Sequence, residues 1–126
     1  MRPAGGAIFG GTESYVSGTN AIPLNTWTHL ASTYDGTTLK IYVNGNLSST
    51  KTVSGAVQSN SNPLRIGGNY PYGQFFEGKI DEVRVYNRAL SQGEIQTTMN
   101  TALPGGTTTP PTAPAAPQNL RVVTTP

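Results

Sequence analysis

Apolar and polar residues alternate most clearly in the phrase LKIYV, where Leu39, Ile41 and Val43 share one face of a strand and Lys40 and Tyr42 the other. This strand lies inside WTHLASTYDGTTLKIYVNGNLSSTKTV, and the dipeptides Asp35-Gly36 and Asn44-Gly45 supply the positive φ that hairpin turns require. The first of these turns has room to extend through Thr37 and Thr38. Glu13 to Ser17 predicts an earlier strand, Ile22 to Asn25 an extended entry through Pro23, and Leu64 to Gly67 a short later strand. In FFEGKIDEVRVYNRALSQGEI the longest strand is expected, with Asp81, Val83 and Val85 facing one way and Ile80, Glu82, Arg84 and Tyr86 the other. After Asn87 the period changes to a helical one. Ser91 is a good N-cap with Glu94 as its capping-box partner, so one or two turns should run to about Asn100.

Composition supports a β reading. Of 126 residues only 11% are charged, which suits turns and half-buried strands better than a helical protein. Eight basic residues against six acidic ones give a formal charge of +2 without any basic stripe, so nucleic acid is not an expected partner. Cysteine is absent, which removes disulfides, thiolate nucleophiles and cysteine-based zinc sites, and leaves the compartment open. No apolar run is long enough for a secretory leader or for membrane insertion. From Pro104 the tract PGGTTTPPTAPAAP is expected to be an extended, semi-stiff linker. The closing APQNLRVVTTP reads as the first strand of a further module.

WTHLASTYDGTTLKIYVNG, LRIGG and FFEGKIDEVRVYNRALSQGEI together resemble the C-terminal half of laminin G-like, or concanavalin A-like, jelly-roll domains of bacterial extracellular proteins. The resemblance implies an all-β fold: an antiparallel β-sandwich (jelly roll), incomplete, with one short C-terminal helix. Its domain plan is residues 1–103 for the C-terminal part of the sandwich, 104–117 for the linker, and 118–126, which resembles the opening strand of a fibronectin type III module. Strands expected upstream of Glu13 are missing from this pattern, which predicts open sheet edges and an edge-strand dimer.

Candidate chemistry is sparse. Some jelly-roll glycoside hydrolases carry a Glu-x-Asp-x-x-Glu strand, and EGKIDE matches its outer positions with Glu77 and Glu82. Lys79 stands where the middle carboxylate would be, and residues five apart on a strand point to opposite faces, so no enzyme is expected. His29, in WTHLA, lacks a Ser or Cys to activate and is expected to be a satisfied structural histidine. The resemblance implies that Asp81 could ligate a structural calcium ion, whose hard oxygen donors would include backbone carbonyls. Against this stands an Asp81 and Glu82 held by Lys79, Arg84 or Arg88. Asp35 is read as a turn residue and Trp27 as core.

The loop GGNYPYGQFF offers Asn69, Tyr70, Tyr72 and Gln74, stiffened by Pro71, as a glycan-binding set, with Tyr42 as a second platform. Alternatively these tyrosines cap the core, and Tyr42 makes a cross-strand pair. The expected function is a non-catalytic carbohydrate- or matrix-binding module, extracellular or at the cell surface, with a polysaccharide or cell-surface glycan and the neighbouring domains of a larger protein as partners. The alternative is a structural spacer or adhesion module.

Overall fold

A computed structural model describes residues 1–59, 61, 63–69 and 72–103. It has β1 (Ala4–Phe9), β2 (Thr12–Ser17), β3 (Leu30–Tyr34), β4 (Thr38–Val43), β5 (Asn46–Thr52), β6 (Gly68–Asn69), β7 (Gln74–Phe75) and α1 (Gln92–Met99). The fold class matches the sequence expectation: an antiparallel β-sandwich with one short helix. Three antiparallel sheets form, β1-β2, β3-β4-β5 and β6-β7. Leu39 and Ile41 of β4 meet Phe9, Val16 and Val53 in one core, packed over by Ala7 and Tyr34. The β1-β2 hairpin therefore covers one face of the central sheet. Tyr42, on the other face of the same strand, meets Leu90 and Ile95 in a second core.

The expected turns hold. Asn44 (φ 49) and Gly45 (φ 73) are both left-handed, as the tight β4-β5 hairpin requires. Asp35 Oδ1 accepts hydrogen bonds from the Thr37 and Thr38 amides at 3.0 and 2.8 Å, which builds the longer β3-β4 turn. The Thr37 and Thr38 amides, then the Thr37 hydroxyl and Lys40, which pairs with Asp35 Oδ2 at 3.2 Å, hold the Asp35 carboxyl well below the usual range. Phe9 and Tyr34 rings pack 4.6 Å apart. The Tyr34 hydroxyl reaches the Gly36 and Gly55 carbonyls at 2.6 and 2.7 Å, pinning the chain after β5 to the β3-β4 turn.

Three expectations need correction. A strand upstream of Glu13 does exist: β1 pairs with β2 through a two-residue turn at Gly10 (φ 54) and Gly11 (φ 88). Its AGGAIF sequence hides it, because glycine is a poor strand former. Here glycine has a packing reason, since a Cβ on Gly5 would come within 2.6 Å of the Ser32 Cβ. The strand expected at Leu64 to Gly67 forms later, as β6, and β7 is its partner. The long strand expected over Ile80 to Tyr86 is not paired; residues 77–90 carry no regular structure. Among the described residues no neighbour supplies its ladder, so Ile80, Val83, Val85 and Tyr86 stay exposed and Glu82 takes a positive φ of 53. Residues 104–117 and 118–126 lie outside the described residues, as does Tyr70.

Helix α1 follows the sequence closely. Ser91 caps it, with its side chain accepting from the Glu94 amide while the Glu94 carboxylate accepts from the Ser91 amide at 2.8 Å. Arg84 Nη1 donates to the Thr98 carbonyl at 2.6 Å and Nη2 to the Thr101 carbonyl, which ties the guanidinium to the helix end. No described helix is long and apolar enough to cross a membrane. Ile95, 1% exposed, fixes α1 to the sheet. Ile95→Ala should therefore cost about 2–3 kcal/mol in urea unfolding, and Ser91→Ala about 1 kcal/mol. The Arg88 guanidinium, then the Ser91 amide and hydroxyl, hold the Glu94 carboxyl at about 2, below the ordinary glutamate value of 4.5. A depressed folded-state pKa gives stability that is present above pH 4.5 and lost as pH falls toward about 2. Glu94→Gln should flatten that part of the acid-unfolding curve; a curve superimposable on wild type would rule out this contribution.

Candidate functional site

The GGNYPYGQFF loop is a short hairpin whose base is set by close packing. Gly67 adopts φ 73, the left-handed conformation that favours glycine, and a Cβ there would lie 2.7 Å from the Ile80 Cδ1. The Phe76 amide donates to the Gly67 carbonyl at 2.7 Å and closes the hairpin base. Asn69 and Gln74 are directly paired across β6 and β7. Tyr72, beyond them at the tip, is 61% exposed, and Gly73 (φ 62) carries the chain back into β7. Three of the expected glycan residues, Asn69, Tyr72 and Gln74, thus belong to one hairpin.

Tyr72 does not stand alone. Its hydroxyl donates to Glu13 Oε2 at 3.3 Å, which ties the loop to β2 across a long sequence separation. Sequence reading did not single out Glu13 as a site residue. Its signal was the alternation of TESYVS, which sends Glu13 and Tyr15 to the face opposite Val16. Two surface depressions lie elsewhere, one beside Tyr86, Arg88 and α1 and one between the Gly10 turn and Gly55.

Tyr42 is corrected as a second platform. It is 5% exposed and packs with Leu90 and Ile95, because α1 lies over the face that alternation marks as wet. Strand period reports which residues share a face; it does not report whether a later helix covers that face. Trp27 is half-buried.

The acidic stretch does local work. Asp81 is exposed, and its Oδ1 accepts from the Glu82 amide at 2.8 Å. Among the described residues no three His, Cys, Asp or Glu side chains come together. A calcium ion at Asp81 would need its other donors from carbonyl oxygens. Glu82 pairs with Arg84 at 2.8 Å and accepts from the Leu103 amide at 3.0 Å, and these partners, Arg84 first, hold its carboxyl below the ordinary value. Glu77 is exposed in the irregular segment.

His29 sits just before β3. Its backbone exchanges two hydrogen bonds with Asn44, the amide donating to Asn44 Oδ1 at 2.9 Å and the carbonyl accepting from the Asn44 amide at 2.8 Å. Burial, then the positive charge of Arg84, lowers the imidazole pKa, so it is neutral at pH 7. The Nδ1 atom and the Arg84 Nε have no hydrogen-bond partner among the described residues. The expected satisfaction of His29 therefore holds for its backbone and fails for this ring atom.

The family comparison agrees with this architecture. Residues 5–96 match a laminin G family model described as the concanavalin A-like lectin/glucanases superfamily. A crystal structure of an S-layer domain-containing protein from Clostridium thermocellum is similar over 68% of this chain, at 25% identity and a TM-score of 0.47. The chain spans 44% of that solved chain. No curated protein matches it.

Proposed function

The chain belongs to the concanavalin A-like lectin/glucanases superfamily, and from that premise we propose that it is a non-catalytic carbohydrate- or matrix-binding module of a larger extracellular bacterial protein. The observation that carries this reading is the exposed Tyr72 on a closed, glycine-based hairpin braced by Glu13. A ring presented on a rigid scaffold offers an apolar face to a sugar at little cost in conformational entropy. Gln74, opposite Asn69 in the register of the same hairpin, adds an amide. Tyr70, outside the described residues, belongs to the proposed set by its place between Asn69 and Tyr72. A setting outside the cell or on its surface is part of the same proposal, following the sequence resemblance.

The glucanase side of the superfamily receives little support from these residues. EGKIDE has Lys79 in place of a middle carboxylate, and Glu82 is engaged by Arg84 and Leu103. A second reading, a structural spacer or adhesion module joined by edge pairing, is supported by the exposed row Ile80, Val83 and Val85 on an unpaired segment. Calcium at Asp81 remains a separate proposal within the same module, completed by carbonyl donors.

For the binding reading, the full chain should be retarded on affinity gels containing β-glucan or xylan, and Tyr70→Ala with Tyr72→Ala should abolish the shift. A broad glycan array without signal for folded protein would favour the spacer. For calcium, a chelator should lower the melting temperature of wild type and leave Asp81→Ala unaffected. Identical melting with and without chelator would sink the metal proposal.

A further inference from the structure

The outward face of β2 holds an arrangement that neither the sequence motifs nor the loop set accounts for. Glu13 and Tyr15 are two residues apart on one strand, so they share a face and stand roughly 7 Å apart. Tyr15 is 62% exposed, although it lies within a paired strand. Its partner across the hairpin is Gly6, which has no side chain to crowd the ring; a Cβ there would lie 2.7 Å from the Tyr15 Cβ. The Lys51 ammonium, from β5, stands over one face of the Tyr15 ring, 5.6 Å from its centroid, which leaves the opposite face for a ligand. Glu13 Oε2 receives the Tyr72 hydroxyl, and Oε1 accepts no hydrogen bond among the described residues.

We propose that Tyr15, Glu13 and Lys51, continuous with Tyr72, form a sugar-stacking platform for a neutral hexopyranose or pentopyranose polysaccharide. This rests on the carbohydrate reading above and moves the centre of the site from the loop tip to the β2 strand. The Tyr15 ring supplies the apolar surface on which the C–H face of a pyranose packs. Glu13 accepts from sugar hydroxyls, while Lys51 donates to them, and a charge-assisted hydrogen bond is the stronger kind. Tyr72 offers a second ring, exposed to a similar degree, through its bond to Glu13. One carboxylate and one ammonium within the patch leave no net charge to attract an acidic polymer. A uronic acid brought to Lys51 would also face Glu13. A strand is a stiffer support than a loop, so the platform keeps its geometry without the ligand.

The test is affinity electrophoresis of the full chain in gels containing mixed-linkage β-glucan, xylan or polygalacturonate. Wild type should be retarded by a neutral polymer and not by polygalacturonate. Tyr15→Ala should weaken the neutral interaction about tenfold, equivalent to about 1.4 kcal/mol, while Tyr15→Phe, which keeps the ring, should retain most of it. Melting curves establish that each variant is folded; if Tyr15→Ala is not, Glu13→Ala and Lys51→Ala decide, each expected to weaken binding by severalfold. Wild-type retardation that persists unchanged in folded Tyr15→Ala, or in both of the other variants, overturns this platform and leaves the loop reading standing. Retardation by polygalacturonate alone overturns the neutral ligand class. No retardation by any of the polymers overturns the platform and counts against the carbohydrate reading with it.

Discussion

Strand β4 is buried on both faces, and the rest of the molecule is arranged around that constraint. Leu39 and Ile41 need an apolar cover on one side, which Phe9 and Val16 of the β1-β2 hairpin provide. Tyr42 needs one on the other, which Leu90 and Ile95 provide. A central strand with both faces covered cannot slip in register without exposing one set and burying Lys40. The hairpin and the helix are therefore fixed relative to the same strand, and the surface face of β2 is held in place by what packs beneath it. Small cores of this kind leave little stability to spare, so each cover counts.

Polar contacts then hold what the two cores do not reach. Tyr34 joins the β3-β4 turn to the chain after β5, and Ser48, the residue left over at the β5 bulge, accepts from the Thr19 amide at 3.1 Å. Arg84 and Glu82 connect the irregular segment to the end of α1 and to Leu103. These bonds organise a stretch that has no strand partner among the described residues, and they give Glu82 a structural part. The loop hairpin is anchored in the same manner, through Gly67 at its base and Glu13 at its tip. Glu13 belongs to a core-backed strand and braces the exposed Tyr72.

Much of this was legible in the sequence because it depends on neighbours within a few residues. Asn44-Gly45 requires left-handed backbone, Asp35 can reach the amides just ahead of it, and Ser91 with Glu94 closes a capping box. The hairpin on which Asn69, Tyr72 and Gln74 lie was read only as a loop, because the pairing of β6 with β7 involves two residues a side. Less legible was β1, whose glycines weaken every strand signal and make sense only against Ser32 and Tyr15. The platform residues Tyr15 and Lys51 are far apart in sequence, and no local pattern links them.

The sequence alone determined the turns, the helix and its cap, and the alternation that divides Leu39 and Ile41 from Tyr42. Those features follow from backbone sterics and hydrogen bonds between residues close along the chain. Tertiary structure decided which faces are dry. It buried Tyr42 under α1, exposed Tyr15 beside Gly6, and left Ile80, Val83 and Val85 without a ladder partner. The physical reason is that burial and strand pairing depend on contacts between distant segments, and a strand's period of two gives its faces without giving their covers.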